Sequence, residues 1–256
     1  MCELLGMNCN VPTDIVFSFT GFCERGGHTA DHSDGWGIGF FQQRGCRLFL
    51  DPAPAVASPI AALLKSYPIK TTNAIAHIRK ATHGGVALEN THPFIRELWG
   101  HYWLFAHNGS LHSFHPRLSG RFLPAGDTDS ERAFCAILDA FVRRWPRSMP
   151  TVPALFAALR SITSRIAKHG KFNFLLGNER LLFAYCATSL HYLIRKAPFK
   201  KAHLADTDLS IDFARVTRSK DRVAIIATRP LTDNELWTPL PPGTLCLFCN
   251  GARRKL

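Results

Sequence analysis

Residues 172–194, FNFLLGNERLLFAYCATSLHYLI, divide into three apolar runs, 172–176, 181–186 and 190–194, separated by polar breaks. Runs of this length suit strands and are too short for helices. Gly177-Asn178-Glu179-Arg180 between the first two reads as a hairpin turn. Two amphipathic helices precede the hairpin. Ala133, Phe134, Ile137, Leu138, Phe141, Val142 and Trp145 recur at helical spacing behind a Thr128/Glu131 capping box. Leu155, Phe156, Leu159, Ile162 and Ile166 give a second helix over 153–168, which Gly170 ends. Farther out, strands are expected at 3–7, 36–41, 46–50, 74–78, 103–106, 222–227 and 245–249. Helices are expected at 15–23 and, behind Ser58-Pro59, to about Tyr67. Strands in runs with helices segregated between them predict an α+β sandwich of mainly antiparallel sheets covered by helices. No repeat, linker or low-complexity stretch interrupts 1–256, so a single domain is expected.

The composition, 46% hydrophobic and 20% charged, is that of a globular chain rather than a disordered one. No apolar run approaches the roughly 18 residues of a membrane span. The opening MCELLGMNCNVPTD lacks the basic and apolar regions of a signal peptide, so a cytoplasmic protein with no membrane partner is expected. In that compartment the eight cysteines are reduced thiols rather than a disulfide framework. Cys246-Leu-Phe-Cys249 has metal-ligand spacing but lies in a strand, where residues three apart face opposite ways, and no metal is expected. The net charge of +12 raises nucleic-acid binding as an alternative. The basic residues are dispersed (Arg143/Arg144/Arg147, Lys196/Lys200/Lys201, Arg215 to Arg222, Arg253 to Lys255), which reads as a solvated surface with no nucleic-acid partner.

Four places carry chemistry. At Met1-Cys2, removal of the initiator methionine, usual before a small residue, leaves a thiol and an α-amine on one residue. That amine titrates at roughly 7.7–8.0, so nucleophile and general base coincide. At 77–84, HIRKATHG, Arg79 offers a planar fork for a carboxylate, or else a surface salt bridge. At His107-Asn-Gly-Ser110, Asn-Gly signals a hairpin turn. Alternatively the Asn108 amide and the Gly109 N–H form an oxyanion hole, which the absent β-carbon lets substrate approach. At 126–131, acidic residues suit a helix start, or Asp129 binds an ammonium group.

The order and spacing of MC, DGWG (34–37), HIRKATHG (77–84), NTHPF (90–94), AHNG (106–109) and DTDSE (127–131) resemble the class II glutamine amidotransferases, a branch of the N-terminal nucleophile (Ntn) hydrolases. FNFLLG (172–177), IDF (211–213) and ATRPLTDNELW (227–237) extend the resemblance to the stand-alone YafJ-like branch. The resemblance implies a four-layer αββα sandwich with Cys2 as nucleophile and Asn108 and Gly109 as oxyanion hole. It implies Arg79 on the α-carboxylate of glutamine, Asp129 on its α-ammonium, Thr82 and His83 lining the pocket, and Asp34, Gly35 and Trp36 in the loop before it. Lys80 departs from the pattern, since related enzymes often carry an aromatic residue there. The implied reaction releases glutamate and ammonia through a γ-glutamyl thioester, with no metal or organic cofactor. The resemblance occupies the whole chain, so the ammonia is expected to go to a separate synthase, or the substrate is another γ-glutamyl amide or peptide. A catalytically silent basic binding module on the same fold is the alternative of a different class.

Overall fold

A computed structural model describes residues 2–67, 69–81 and 84–256. The chain opens with β1 (Glu3–Asp14), α1 (Val16–Glu24), the hairpin β2 (Trp36–Gln42) and β3 (Gly45–Asp51), α2 (Pro59–Ser66) and β4 (Lys70–Ile78). Strands β5 (Phe94–Leu98) and β6 (His101–Leu111) precede the helices α3 (Asp129–Arg144) and α4 (Val152–Ile166). Then come β7 (Gly170–Gly177), β8 (Leu181–Cys186), β9 (His191–Lys196), β10 (Lys201–His203), β11 (Ser210–Asp212) and the single turn α5 (Phe213–Val216). The chain closes with β12 (Arg222–Ala227), β13 (Thr238–Pro239), β14 (Thr244–Cys249) and β15 (Ala252–Arg254).

Two large sheets result, ordered β13-β9-β12-β1-β4-β2-β3 and β15-β14-β8-β7-β6-β5. Their strands pair antiparallel. Side chains alternate across each strand, and the alternation sorts the core into layers. Leu5, Met7 and Cys9 of β1 pack with Phe19, Phe22, Ala61 and Leu64 of α1 and α2. Leu4, on the opposite face of the same strand, joins Leu104, Ala106, Leu175, Ala184 and Phe248 of the second sheet. The outer face of that sheet (Phe105, Phe172, Phe174, Phe183) carries α3 and α4 through Phe134, Leu138, Leu155 and Leu159. Helices, sheet, sheet, helices is the expected αββα order.

The hairpin 172–186 forms as expected, with Phe174 opposite Tyr185 and Gly177 opposite Leu182. The third run, β9, leaves for the other sheet and pairs with β12. Thr128 caps α3 by accepting the Glu131 N–H at 3.2 Å, while the Glu131 carboxylate turns to Arg96 and the Gly126 N–H. The largest departure is at Asn108-Gly109. β6 runs through it to Leu111, with Asn108 opposite Asn173 and Gly109 opposite Phe172, because β7 supplies a continuous ladder of partners. Among the described residues no helix is long and apolar enough to cross a membrane. Cys246 lies in the core between the sheets and Cys249 packs against the α3/α4 side, on opposite faces as their spacing predicts.

At one end of the sandwich the facing rows change from apolar to polar. Leu4 gives way to Cys2, Ile75 to His77, Ala106 to Asn108, Leu175 to Asn173 and Ile226 to Thr228. This end holds the candidate site.

Candidate active site

Glu3 pairs with Ile78, so Cys2 lies level with Arg79, one step past the last rung. The half-buried Cys2 thiol donates to the Lys80 carbonyl and accepts the Lys80 N–H, both at 3.3 Å. Burial pushes this thiol above its ordinary value of 9.0, opposed by the Lys80 N–H and the nearby Arg79 charge.

The segment beside it is held from several sides. The Arg79 N–H donates to the Gly35 carbonyl at 2.8 Å, and the Ala81 N–H donates to the Asp34 carboxylate at 2.7 Å. The Arg79 guanidinium is 3% exposed and donates to the Gly85 carbonyl at 2.9 Å and the Gly84 carbonyl at 3.1 Å. Asn90 also donates to Gly85 and accepts the Asp127 N–H at 3.1 Å. Gly84 has φ +75°, and a β-carbon there would stand 2.7 Å from the Asp127 carboxylate. Two residues on, the Asp129 carboxylate accepts the Leu111 N–H at 2.6 Å, the Ser130 N–H at 2.8 Å and the Ser130 hydroxyl at 3.3 Å. A ring of contacts thus runs from Cys2 through Arg79, Gly85, Asn90 and the start of α3 to β6.

β6 closes the ring. Asn108 is 1% exposed, and its amide Nδ2 donates to the Thr228 hydroxyl at 3.4 Å. The same hydroxyl accepts the Leu4 N–H at 2.9 Å, which leads back to Cys2. The Asn108 carbonyl accepts from Asn173, whose Oδ1 also accepts the N–H groups of Ala187 and Thr188 at 2.9 Å. Gly109 lacks a β-carbon for a reason other than substrate access. A β-carbon would fall 1.8 Å from the Lys171 carbonyl oxygen, so glycine is what lets β6 and β7 stay paired.

Sequence reasoning missed a charged network that begins at Glu3, next to Cys2. The Glu3 carboxylate is bound by Arg25 at 3.1 Å and by Arg229 at 2.8 Å. The same Arg25, 2% exposed, holds Asp206 at 2.7 Å and donates to the Arg229 and Pro230 carbonyls. Buried charges need such pairing. No local pattern signals it, because Glu3, Arg25 and Arg229 lie far apart in the chain and meet only in the fold. His77, His92 and His107 are also buried here. His77 makes no hydrogen bond to the thiol; its Nε2 lies 3.1 Å from the His107 carbonyl, and its ring centroid lies 4.2 Å from that of His92 with the two planes tilted by 38°. Burial pushes the pKa of His77 down to about 3 and those of His92 and His107 in the same direction.

Cys2, Asp34, Gly35, Arg79 and Asn108 therefore converge. Asp129 joins them through the contact ring rather than directly, and its carboxylate serves the helix start as well. Trp36 does not face the site; it is 1% exposed and packs on Phe19 at 5.7 Å, in the core beneath α1. Thr82 and His83 lie outside the described residues.

Similarity to known proteins bears on the family of the chain. YafJ of Escherichia coli (strain K12), provisionally named a glutamine amidotransferase, is 52% identical over 253 residues, covering 99% of both chains. The crystal structure of a predicted glutamine amidotransferase from Pseudomonas aeruginosa is 44% identical, with a TM-score of 0.80 over 100% of each chain. The glutamine phosphoribosylpyrophosphate amidotransferase of B. subtilis shares the fold at 14% identity and TM-score 0.59, over 99% of this chain and 48% of that one. A sequence profile described as "Glutamine amidotransferases class-II" matches residues 1–256, and with the relatives above it establishes that the chain belongs to that family.

Proposed function

We propose that this protein hydrolyses the γ-amide of glutamine through Cys2, with residues 1–256 acting as one catalytic domain. The observation that carries the reading is the seat of the thiol. Its sulfur rests between the N–H and carbonyl of Lys80, beside Arg79 and at the polar end of the sheets where Asn108 also lies. In this reading Met1 is removed and the α-amine of Cys2, directly or through a water, takes the thiol proton. The thiolate then attacks the γ-carbonyl, and the Asn108 amide and Gly109 N–H stabilise the oxyanion. Losing one such donor costs about 100- to 1,000-fold in rate. The proton passes to the departing ammonia, and water hydrolyses the thioester to glutamate. Arg79 and Asp129 hold the α-carboxylate and α-ammonium, Thr82 and His83 line the pocket, and the loop of Asp34, Gly35 and Trp36 borders it.

A second reading, hydrolysis of another γ-glutamyl amide or peptide, draws support from the rim. The Lys80 side chain, 39% exposed, pairs at 2.6 Å with the open Asp31, so the described rim one residue past Arg79 is polar. Ammonia from the first reading would pass to a separate synthase.

A glutamine-analogue diazo-ketone tests the nucleophile. Mass spectrometry is expected to find it on residue 2, Cys2→Ala to abolish turnover, and an uncleavable N-terminal extension to block it. Labelling at Cys9 or Cys23, or native turnover by the extended protein, would overturn the assignment. Glutamine and γ-glutamyl peptides assayed side by side separate the two readings. A steep salt-dependent affinity for nucleic acid without turnover would favour the binding-module alternative.

A further inference from the structure

We infer that Thr228 is a positioning residue that fixes the oxyanion donor relative to the nucleophile. The inference rests on the proposed roles of Cys2 and Asn108. One hydroxyl meets both partners: Thr228 Oγ1 accepts the Leu4 N–H at 2.9 Å, two residues from Cys2, and the Asn108 amide at 3.4 Å. The two partners belong to different sheets, so without this hydroxyl nothing described ties the Asn108 amide to the strand bearing the thiol. An asparagine amide has two hydrogens. Thr228 engages one, which orients the second for an oxyanion.

Thr228 is itself a fixed post. Its N–H donates to the Leu4 carbonyl at 3.1 Å, and its carbonyl accepts the Ser189 hydroxyl at 3.1 Å and lies 3.0 Å from His191 Nδ1. Ser189 and His191 flank the point where the chain crosses between sheets, and the Asn173 side chain binds that crossover while donating to the Asn108 carbonyl. The backbone and the amide of Asn108 are thereby held from one side of the site. Thr228 touches no reacting atom, and its effect would come entirely through Asn108.

The test compares Thr228→Val, nearly isosteric but without the hydroxyl, with Thr228→Ser, which keeps it. An oxyanion donor acts in the transition state, so Thr228→Val is expected to lower kcat for glutamine about 10- to 100-fold while KM stays close to native, in line with the cost of misplaced catalytic groups. Thr228→Ser should restore most of kcat. In an Asn108→Ala background, Thr228→Val should cost nothing further, because the group it positions is gone. Native kcat in Thr228→Val, a loss in Thr228→Ser as deep as in Asn108→Ala, or full additivity of the two changes would overturn the inference. Should the valine variant not fold, the serine variant alone decides by the same criterion. Activity in Cys2→Ala or a silent Asn108→Ala would instead overturn the underlying reading.

Discussion

Arg79 shows how much one side chain does before any substrate arrives. Its guanidinium carries five N–H donors in a planar fork. Two of them hold the Gly84 and Gly85 carbonyls, and Asn90 links Gly85 to Asp127 just before α3. A lysine keeps the charge and loses the fork, so it can neither brace that segment nor meet a carboxylate with two parallel bonds. Arg79→Lys is expected to lower kcat/KM about 10- to 150-fold, the equivalent of about 1.5–3 kcal/mol for hydrogen bonds to a charged group. Glutamine and a γ-glutamyl peptide should suffer alike, since both present the same glutamyl end. Steady-state kinetics with the two substrates checks this, and a silent substitution would remove Arg79 from the pocket.

At the scale of elements, two contacts decide whether the strands can meet at all. Gly109→Ala would drive a β-carbon into the Lys171 carbonyl, a backbone group that cannot swing aside. We expect a loss of at least about 1–3 kcal/mol in urea unfolding, the usual cost of overpacking. Gly45→Ala, whose nearest neighbour would be 3.5 Å away, serves as a near-neutral control. The second contact is Arg25, where the end of α1, the start of β1, the 204–206 segment and the end of β12 share one set of charges. Arg25→Met leaves Glu3 and Asp206 facing each other without their common cation. Removing one partner of a buried pair costs about 3–5 kcal/mol, measurable as a lower denaturation midpoint. An unchanged midpoint would mean that water reaches these carboxylates freely.

Across the whole molecule the buried histidines contribute to the response to acid. Their folded pKa values are lowered, to about 3 for His77, whereas the unfolded chain binds protons from near 6.5 downward. Below 6.5 the unfolded state therefore holds more protons. Stability is fully present above that value and falls as pH drops below 6.5, for His77 down to about 3, at up to about 1.4 kcal/mol per pH unit for each such histidine. Denaturant titrations between pH 7 and pH 4 should reveal the slope, and His92→Gln should flatten it by one proton's worth. An unaltered slope in that variant would show that His92 is charged in the fold.

Local pattern made most of this architecture readable. The hairpin at 172–186, the Thr128 cap and the apolar stripe of α3 depend on neighbours within a few residues, and each formed where spacing put it. β5 was missed because Arg96 and Glu97 break its short apolar pattern. The Asn108-Gly109 pair misled for the opposite reason. Its local turn signal was overruled by a strand 60 residues later that no window could include. Motif order made Cys2, Arg79 and Asn108 conspicuous, yet Thr228 and Arg25 acquire their roles only by adjacency across the fold, and their residue types announce nothing. Trp36 belongs to the quoted DGWG motif but opens β2 and points into the core beneath α1, a matter of strand parity that the motif does not encode.

β1 is flanked by β4 on one side and β12 on the other. β1 therefore waits for residues 222–227 before its second edge is covered. At a synthesis rate of about 5–20 residues per second, that edge stays open for on the order of 10–40 s. During this interval the backbone of β1 is available to any passing strand, which makes nascent chains, rather than finished ones, the vulnerable population.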